Sequence, residues 1–136
     1  MRHQACANCG APGAVAFKGE TFRVSHKGLS AEVKGLSGRR CSDCAEIEFD
    51  RRSAKRYTAA GDTLVLQARA AQRSEILRIR RKLRLSQAKA AELTGGGHNA
   101  FSRYERGETT PSPAVVNLFR LLDHHPDLLK ELTGNR

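Results

Sequence analysis

The chain has 136 residues and a formal net charge of +10, with a pI near 10.1. That length holds one ordinary domain or two small ones, and so large a positive excess points to a polyanionic partner. No stretch approaches the ~20 apolar residues of a membrane span. The opening MRHQACANCG also lacks the apolar core of a secretory signal. The expectation is therefore a cytoplasmic protein without a membrane partner, in a reducing compartment where four cysteines serve as metal ligands rather than disulfides. The charge is concentrated: residues 51–84 carry eleven Lys/Arg against two Asp/Glu, while the segments on either side are close to neutral. Aromatic residues make up 5% with no Trp, so small, aliphatic cores are expected.

In chain order, Cys6-Ala-Asn-Cys9 comes first and Cys41-Ser-Asp-Cys44 follows after 31 intervening residues. Two CxxC turns can present four thiolates to one tetrahedral Zn²⁺, and a site filled by four Cys leaves no open position for a substrate, so the ion is expected to be structural. A dithiol redox pair would normally sit in a larger α/β frame than these residues supply. His3 could also ligate, but four Cys leave it unneeded. Phe17–Val24 and Ala31–Leu36 read as short strands broken by Gly19, Gly28 and Gly35, a hairpin that returns the chain to its first Cys pair. A segment this small and Gly-rich needs the metal to hold its core.

From Asp50 the composition turns to Ala, Arg and Leu, a helical connector with a weak point at Gly61-Asp62. Its Arg51, Arg52, Lys55 and Arg56, taken singly, read as a solvated face. Ser74 is placed to cap EILRIRRKL, in which Ile76, Leu77, Ile79 and Leu83 point inward and Arg78, Arg80, Arg81, Lys82 and Arg84 mostly outward. Ser86 caps a second short helix, with Gln87 in its first turn, where backbone N–H groups favour a phosphate, and with Ala88, Ala91 and Leu93 as packing surface.

Gly95-Gly96-Gly97 makes the next turn. Beyond it, a helix starting near His98 has two faces. Ala100, Phe101 and Tyr104 share an anchoring side. Asn99, Ser102, Arg103 and Arg106 share the other, a row of hydrogen-bond donors with no carboxylate among them. Asn suits the adenine edge and Arg the guanine edge, both in two-pronged geometry. Four polar residues are more commonly a solvated face, and it is the helix–turn–helix order around them that shifts the reading toward a DNA-reading surface. Arg78, Arg81 and Gln87 on the preceding helices are the expected phosphate contacts. Ser112 and Pro113 then open a helix with Val115, Val116, Leu118, Phe119, Leu121 and Leu122, and Pro126 opens a last one with Leu128, Leu129 and Leu132. That is more apolar surface than one small domain needs, and it is the candidate dimer face.

Leu85-Ser86-Gln87, Ala91, Gly95, the run Phe101 to Gly107 and Pro111 resemble the phage-repressor-like (XRE-type) helix-turn-helix across residues 74–123. GGGHNAFSRYERG behind a tetracysteine N-terminal segment is similar to the MqsA (YgiT-type) antitoxins of bacterial toxin–antitoxin pairs, over essentially the whole chain. The resemblance implies an N-terminal zinc domain that binds a ribonuclease toxin and a C-terminal domain that dimerises and binds a palindromic operator. It maps zinc ligands onto Cys6, Cys9, Cys41 and Cys44 and base-reading residues onto Asn99 and Arg103. Two departures stand out: Thr94 occupies a position that is usually apolar, and the segment after the second Cys pair is unusually basic.

The expected fold is thus α+β: a small zinc-bound, β-containing domain with a helical connector over residues 1–70, and an all-α, five-helix, repressor-like helix-turn-helix domain over 71–136. The expected function is that of a bacterial, nucleoid-associated antitoxin and autorepressor with one structural Zn²⁺ per chain. The alternative is a stand-alone zinc-containing XRE-family regulator. An enzyme is disfavoured, since no nucleophile–base pair is signalled.

Overall fold

A computed structural model describes residues 5–134; His3 lies outside the described residues. The chain is α+β and divides into two compact units between Ala68 and Arg69. That division falls inside a helix, as does the expected boundary at residue 70.

The first unit is built on a three-stranded antiparallel sheet in the order β1-β2-β3, from β1 (Ala14–His26), β2 (Leu29–Cys41) and β3 (Ile47–Phe49). β1 and β2 are joined by Lys27-Gly28, both at positive φ (46° and 80°), the two-residue turn whose twist matches that of the strands. Gly28 separates the strands as expected, but Gly19 and Gly35 do not break them. Phe17 pairs with Gly38, Glu20 with Leu36 and Phe22 with Val33, so each strand gains one residue in turn and the register is restored. Gly19 and Gly35 take positive φ (70° and 72°) at these two bulges, a conformation open to Gly without a Cβ penalty. β3 was not foreseen; its three residues are too few for an alternating pattern to show.

Helix α1 (Arg51–Lys82) starts at Asp50, whose carboxylate accepts from the Ser53 N–H at 2.7 Å. The buried Ser53 hydroxyl in turn accepts from the Ser37 N–H at 2.9 Å, tying the helix start to β2. Leu64 of α1 closes a core with Val24, Val33 and Leu36 of the sheet. The aliphatic core expected here is partly aromatic: Phe22 and Phe49 meet edge-to-face at 4.9 Å, with Tyr57 and Phe17 beside them.

α1 runs through two places where the sequence suggested interruption. At Gly61 an added Cβ would meet Val24 at an ordinary 3.7 Å, so the glycine lies against the packed sheet, and packing offsets its low propensity. Ser74 is exposed and mid-helix. A capping residue acts only where a helix begins, and Ala70, Ala71, Gln72 and Arg73 propagate the helix into it.

The second unit comprises the C-terminal part of α1, α2 (Gln87–Thr94), α3 (Ala100–Arg106), α4 (Pro113–His124), a 3-10 turn (Pro126–Leu128) and α5 (Leu129–Thr133). Its core is Ile76, Ile79, Leu83, Ala90, Ala91, Phe101, Val116, Phe119 and Leu122. Phe101 stacks on Phe119 at 5.2 Å and meets Tyr104 at 5.3 Å. Ser86 caps α2 and Ser112 caps α4 by accepting from Lys89 and Val115 N–H. Ala88 is exposed rather than packed, and Ala90 takes its place. Two residues are ~200° of helix rotation, so one face cannot bury both. Leu77 is only half-buried. Thr94, the departure from the usual apolar residue, donates its hydroxyl to Ala90 O at 2.9 Å and so buries no unmet polar group.

Arg80 is the exception among the arginines expected to point outward. Its guanidinium pairs with Glu105 of α3 through Nε and Nη2 and donates Nη1 to Leu85 O at 2.8 Å. Gln87 Nε2 donates to the same Glu105 carboxylate at 2.7 Å. The Arg80 and Glu105 side chains are only 13% and 10% exposed. Burial raises the Glu105 pKa, but Arg80 and Gln87 outweigh it and hold the carboxyl below its ordinary value. Glu105→Ala should therefore destabilise the second unit by about 3 kcal/mol, the lower end of the range for breaking a buried ion pair. Arg80→Met with Glu105→Leu should cost less than Glu105→Ala alone. Urea unfolding monitored by circular dichroism checks both.

Candidate metal centre and candidate nucleic-acid interface

The two CxxC turns lie at one end of the sheet. In the first, Gly10 N–H donates to Cys6 O at 2.8 Å and Gly10 takes φ +75°. In the second, Ala45 N–H donates to Cys41 O at 3.1 Å and Ala45 takes φ +60°. The two turns are near copies, with alanine bearing in the second a strain that glycine avoids in the first. They are stitched together by Ser42, whose N–H and hydroxyl both donate to Gly13 O.

This arrangement gathers the sulfurs of Cys6, Cys9, Cys41 and Cys44 within 4.8 Å of one another. Cys6 and Cys44 are 3.7 Å apart and Cys9 and Cys41 3.6 Å, well beyond the ~2.05 Å of a disulfide. Four thiolates at ~2.3 Å from a tetrahedral Zn²⁺ stand ~3.8 Å from each other, so the donor set fits such an ion in both number and spacing. The thiols are electrostatically uneven. The Glu46 backbone N–H, and after it the Asn8 side chain, lower Cys44 to about 7. The Ala11 N–H lowers Cys9, but Cys44 and the other thiols outweigh it and push Cys9 up to about 12. A bound cation replaces this competition for protons with a common attraction for thiolate. Asn8, whose amide donates to Cys44 Sγ at 3.6 Å, was not singled out from the sequence. Nothing in the spacing marks a residue between two ligands as a donor to a third.

In the second unit, three successive helix ends are closed alike. Leu85 N–H donates to Arg80 O, Gly96 N–H to Ala91 O and Glu108 N–H to Arg103 O, with Arg84, Gly95 and Gly107 in the left-handed region. These closures fold the chain sharply between α1, α2 and α3. At Gly107 a Cβ would also run into the Arg73 guanidinium.

α3 turns Phe101 fully inward, with Ala100 and Tyr104 packed at the edge of the core. Asn99, Arg103 and Arg106 are exposed and Ser102 is half-buried. Asn99 precedes the first helical residue and makes no side-chain capping bond. The expectation of a face free of carboxylate needs correction. Glu108, brought back by the left-handed Gly107, places its carboxylate 2.9 Å from Arg106 Nε and 3.7 Å from Arg103 Nε. A helical wheel could not show this, because Glu108 lies past the end of the helix.

The expected phosphate contacts are differently engaged. Arg78 gives both terminal nitrogens to Asp123, at 3.1 and 2.7 Å, and Lys82 joins the same carboxylate at 2.9 Å. Arg78, and after it Lys82, holds Asp123 well below the usual carboxylate range. The Gln87 side chain is occupied by Glu105. Arg81 is exposed and makes no ion pair among the described residues. Of the apolar surplus in α4 and α5, Val116, Phe119 and Leu122 are buried, and Leu121 and Leu132 remain 51% and 39% exposed. No helix among the described residues is long and apolar enough to cross a membrane.

The observations so far define an α+β chain that couples a four-cysteine metal-binding cluster to a helical unit with a donor-rich, exposed short helix. Its sequence matches the family model described as the antitoxin component of a bacterial toxin–antitoxin system, MqsA, over residues 4–133. It is also 38% identical over 118 residues to the antitoxin MqsA of Escherichia coli (strain K12), covering 82% of this chain and 84% of that relative. The chain belongs to the MqsA antitoxin family.

The cluster yields a direct expectation. Elemental analysis of the purified protein should find about one metal ion per chain. Cys41→Ser, which removes the buried member of the cluster, should abolish stoichiometric metal and unfold the sheet while much of the helical signal persists. Full metal content in Cys41→Ser would contradict a four-thiolate site.

Proposed function

We propose that this chain is the antitoxin of a bacterial toxin–antitoxin pair, acting in the cytoplasm as a non-enzymatic regulator. In this reading residues 1–70 bind and neutralise a ribonuclease toxin, and residues 71–136 form a repressor-like helix-turn-helix domain that dimerises and represses the chain's own operon. The metal is Zn²⁺, one per chain and structural, since four Cys fill a tetrahedral shell. The observation that carries the DNA-binding half is the face of α3. Asn99, Arg103 and Arg106 are exposed, while Phe101 on the opposite side is fully buried. A helix so anchored, and preceded by a tight turn, can lie in the major groove with Asn99 and Arg103 on base edges and Ser102 and Arg106 beside them. Arg81 meets phosphate with its free guanidinium. Gln87 does so through its backbone N–H at the start of α2, its amide being bonded elsewhere. Arg78, held by Asp123, contributes less.

Asn99→Ala and Arg103→Ala should bring affinity for a duplex from upstream of the gene close to that for a shuffled duplex. Each lost two-pronged contact is worth ~1–3 kcal/mol of base discrimination. Arg81→Ala should weaken both duplexes alike and lower the salt slope by about one unit. Fluorescence anisotropy at several salt concentrations separates the two classes. An unchanged ratio of specific to non-specific binding in both Asn99→Ala and Arg103→Ala would remove α3 as the reading helix.

The exposed Leu121 and Leu132 support a homodimer through α4 and α5, which would place two reading helices on a palindrome with half-sites about one helical turn apart. Sedimentation of the full chain should give a dimer at tens of micromolar, and Leu121→Glu should shift it toward monomer without loss of helicity. A wild-type monomer at that concentration would count against this surface.

A further inference from the structure

We propose that Glu108 is a positioning residue for base recognition: it ties up Arg106 and braces Arg103 so that Arg103 alone on the face keeps a free two-pronged fork. The inference rests on the DNA-binding reading above and concerns how that face selects its sequence.

The geometry distinguishes the two arginines. Glu108 takes Arg106 side-on, with Oε1 2.9 Å from Nε and Oε2 3.2 Å from Nη2, which leaves one terminal nitrogen of Arg106 uncommitted. Its nearest approach to Arg103 is at Nε, 3.7 Å away, an ion-pair contact without a hydrogen bond. The terminal nitrogens of Arg103, the pair that matches guanine O6 and N7, point to no partner among the described residues. A guanidinium held from its Nε side is restrained without losing the edge that reads a base.

The position of Glu108 is set by the backbone. Its N–H donates to Arg103 O at 3.0 Å and Gly107 N–H donates to Tyr104 O at 3.1 Å, the paired bonds that close a helix with a left-handed residue. The carboxylate is therefore held just beyond the C-terminus of α3. An acid there opposes the helix dipole, so Glu108 does nothing for α3 as an isolated helix. Its contribution lies in the two arginines. Both are about half exposed, as is Glu108 itself, so the contacts are accessible to a DNA groove.

The test compares wild type, Glu108→Gln, Arg103→Ala and the double variant. Each is titrated against the upstream duplex and a shuffled duplex of equal composition. Glu92→Gln, which removes an equal charge from an exposed pair with Lys89, serves as control. Glu108→Gln should raise affinity for shuffled DNA, because one negative charge is gone, and steepen its salt dependence by about one unit. It should nonetheless lower the ratio of upstream to shuffled binding by about three- to tenfold, the factor for ordering one long side chain on binding. Glu92→Gln should leave that ratio unchanged. In the Arg103→Ala background, Glu108→Gln should have no further effect on the ratio, because its influence runs through Arg103. An unchanged ratio in Glu108→Gln overturns the proposal, as does an equal loss from Glu108→Gln with or without Arg103, which would make Glu108 a base contact in its own right. A wild type that does not prefer the upstream duplex would instead overturn the DNA-reading function itself, and this inference with it.

Discussion

The Glu105 carboxylate accepts from Arg80 near the end of α1 and from Gln87 at the start of α2, while itself belonging to α3. Three helices are thus tied at one point that is close to buried. The apolar contacts of the second unit drive its collapse, but they are non-directional. Phe101, Phe119 and the small Ala90 and Ala91 could be satisfied by more than one rotation of a seven-residue helix. A charged, forked bond is less forgiving. Arg80 offers two parallel donors to Glu105 and a third to Leu85 O, which fixes the angle of α3 against the end of α1. The orientation of Asn99 and Arg103 toward solvent follows from that fixed angle. The donor-rich face is held in place by a carboxylate on the flank of the same helix.

The first unit achieves rigidity by other means. Its strands carry compensating bulges and its third strand has only three residues, so the hydrogen-bond ladder alone is a weak restraint. The aromatic group of Phe17, Phe22, Phe49 and Tyr57 covers one part of the sheet. The cysteine cluster lies at the end where β1 begins and β2 finishes. A cation shared by the four thiolates would close the loop from Cys9 to Cys41, a long stretch for a domain with so few buried aliphatic side chains. The alanine at φ +60° in the second CxxC turn shows that the backbone accepts local strain to place Cys44.

Much of this was legible in the sequence, and what was not shares a physical cause. Cys6, Cys9, Cys41 and Cys44 were readable because metal ligation imposes a spacing. Ser86, Ser112 and the inward Phe101 were readable because caps and helical periodicity are local. The continuity of α1 through Gly61 and Ser74 was not: packing against the sheet overrides the low propensity of Gly61, and a helix already under way carries through Ser74. Gly19 and Gly35 look like strand breakers until a partner strand supplies the matching bulge. The burial of Arg80 and the reach of Glu108 were also hidden. Both depend on chain reversals, at Arg84 and at Gly107, that bring together residues no helical period relates.

The same reversals change what the charge count means. Residues 51–84 carry eleven basic side chains, and a uniform reading would treat them all as available to a polyanion. Within the second unit, Arg78 and Lys82 are held by Asp123 and Arg80 by Glu105. Arg120 of α4 reaches back to Glu75 at 2.9 Å. These pairs join α1 to α3 and α4, so part of the cationic excess serves as structural cross-linking between helices. The basic residues of this segment that lie in the second unit and make no ion pair among the described residues are Arg69, Arg73, Arg81 and Arg84. For any polyanionic partner, the unpaired cations rather than the net charge set the electrostatic attraction. In the proposed DNA-binding role, discrimination between sequences falls to the face of α3, where Asn99 and Arg103 are exposed on a helix anchored by Phe101 and Glu105.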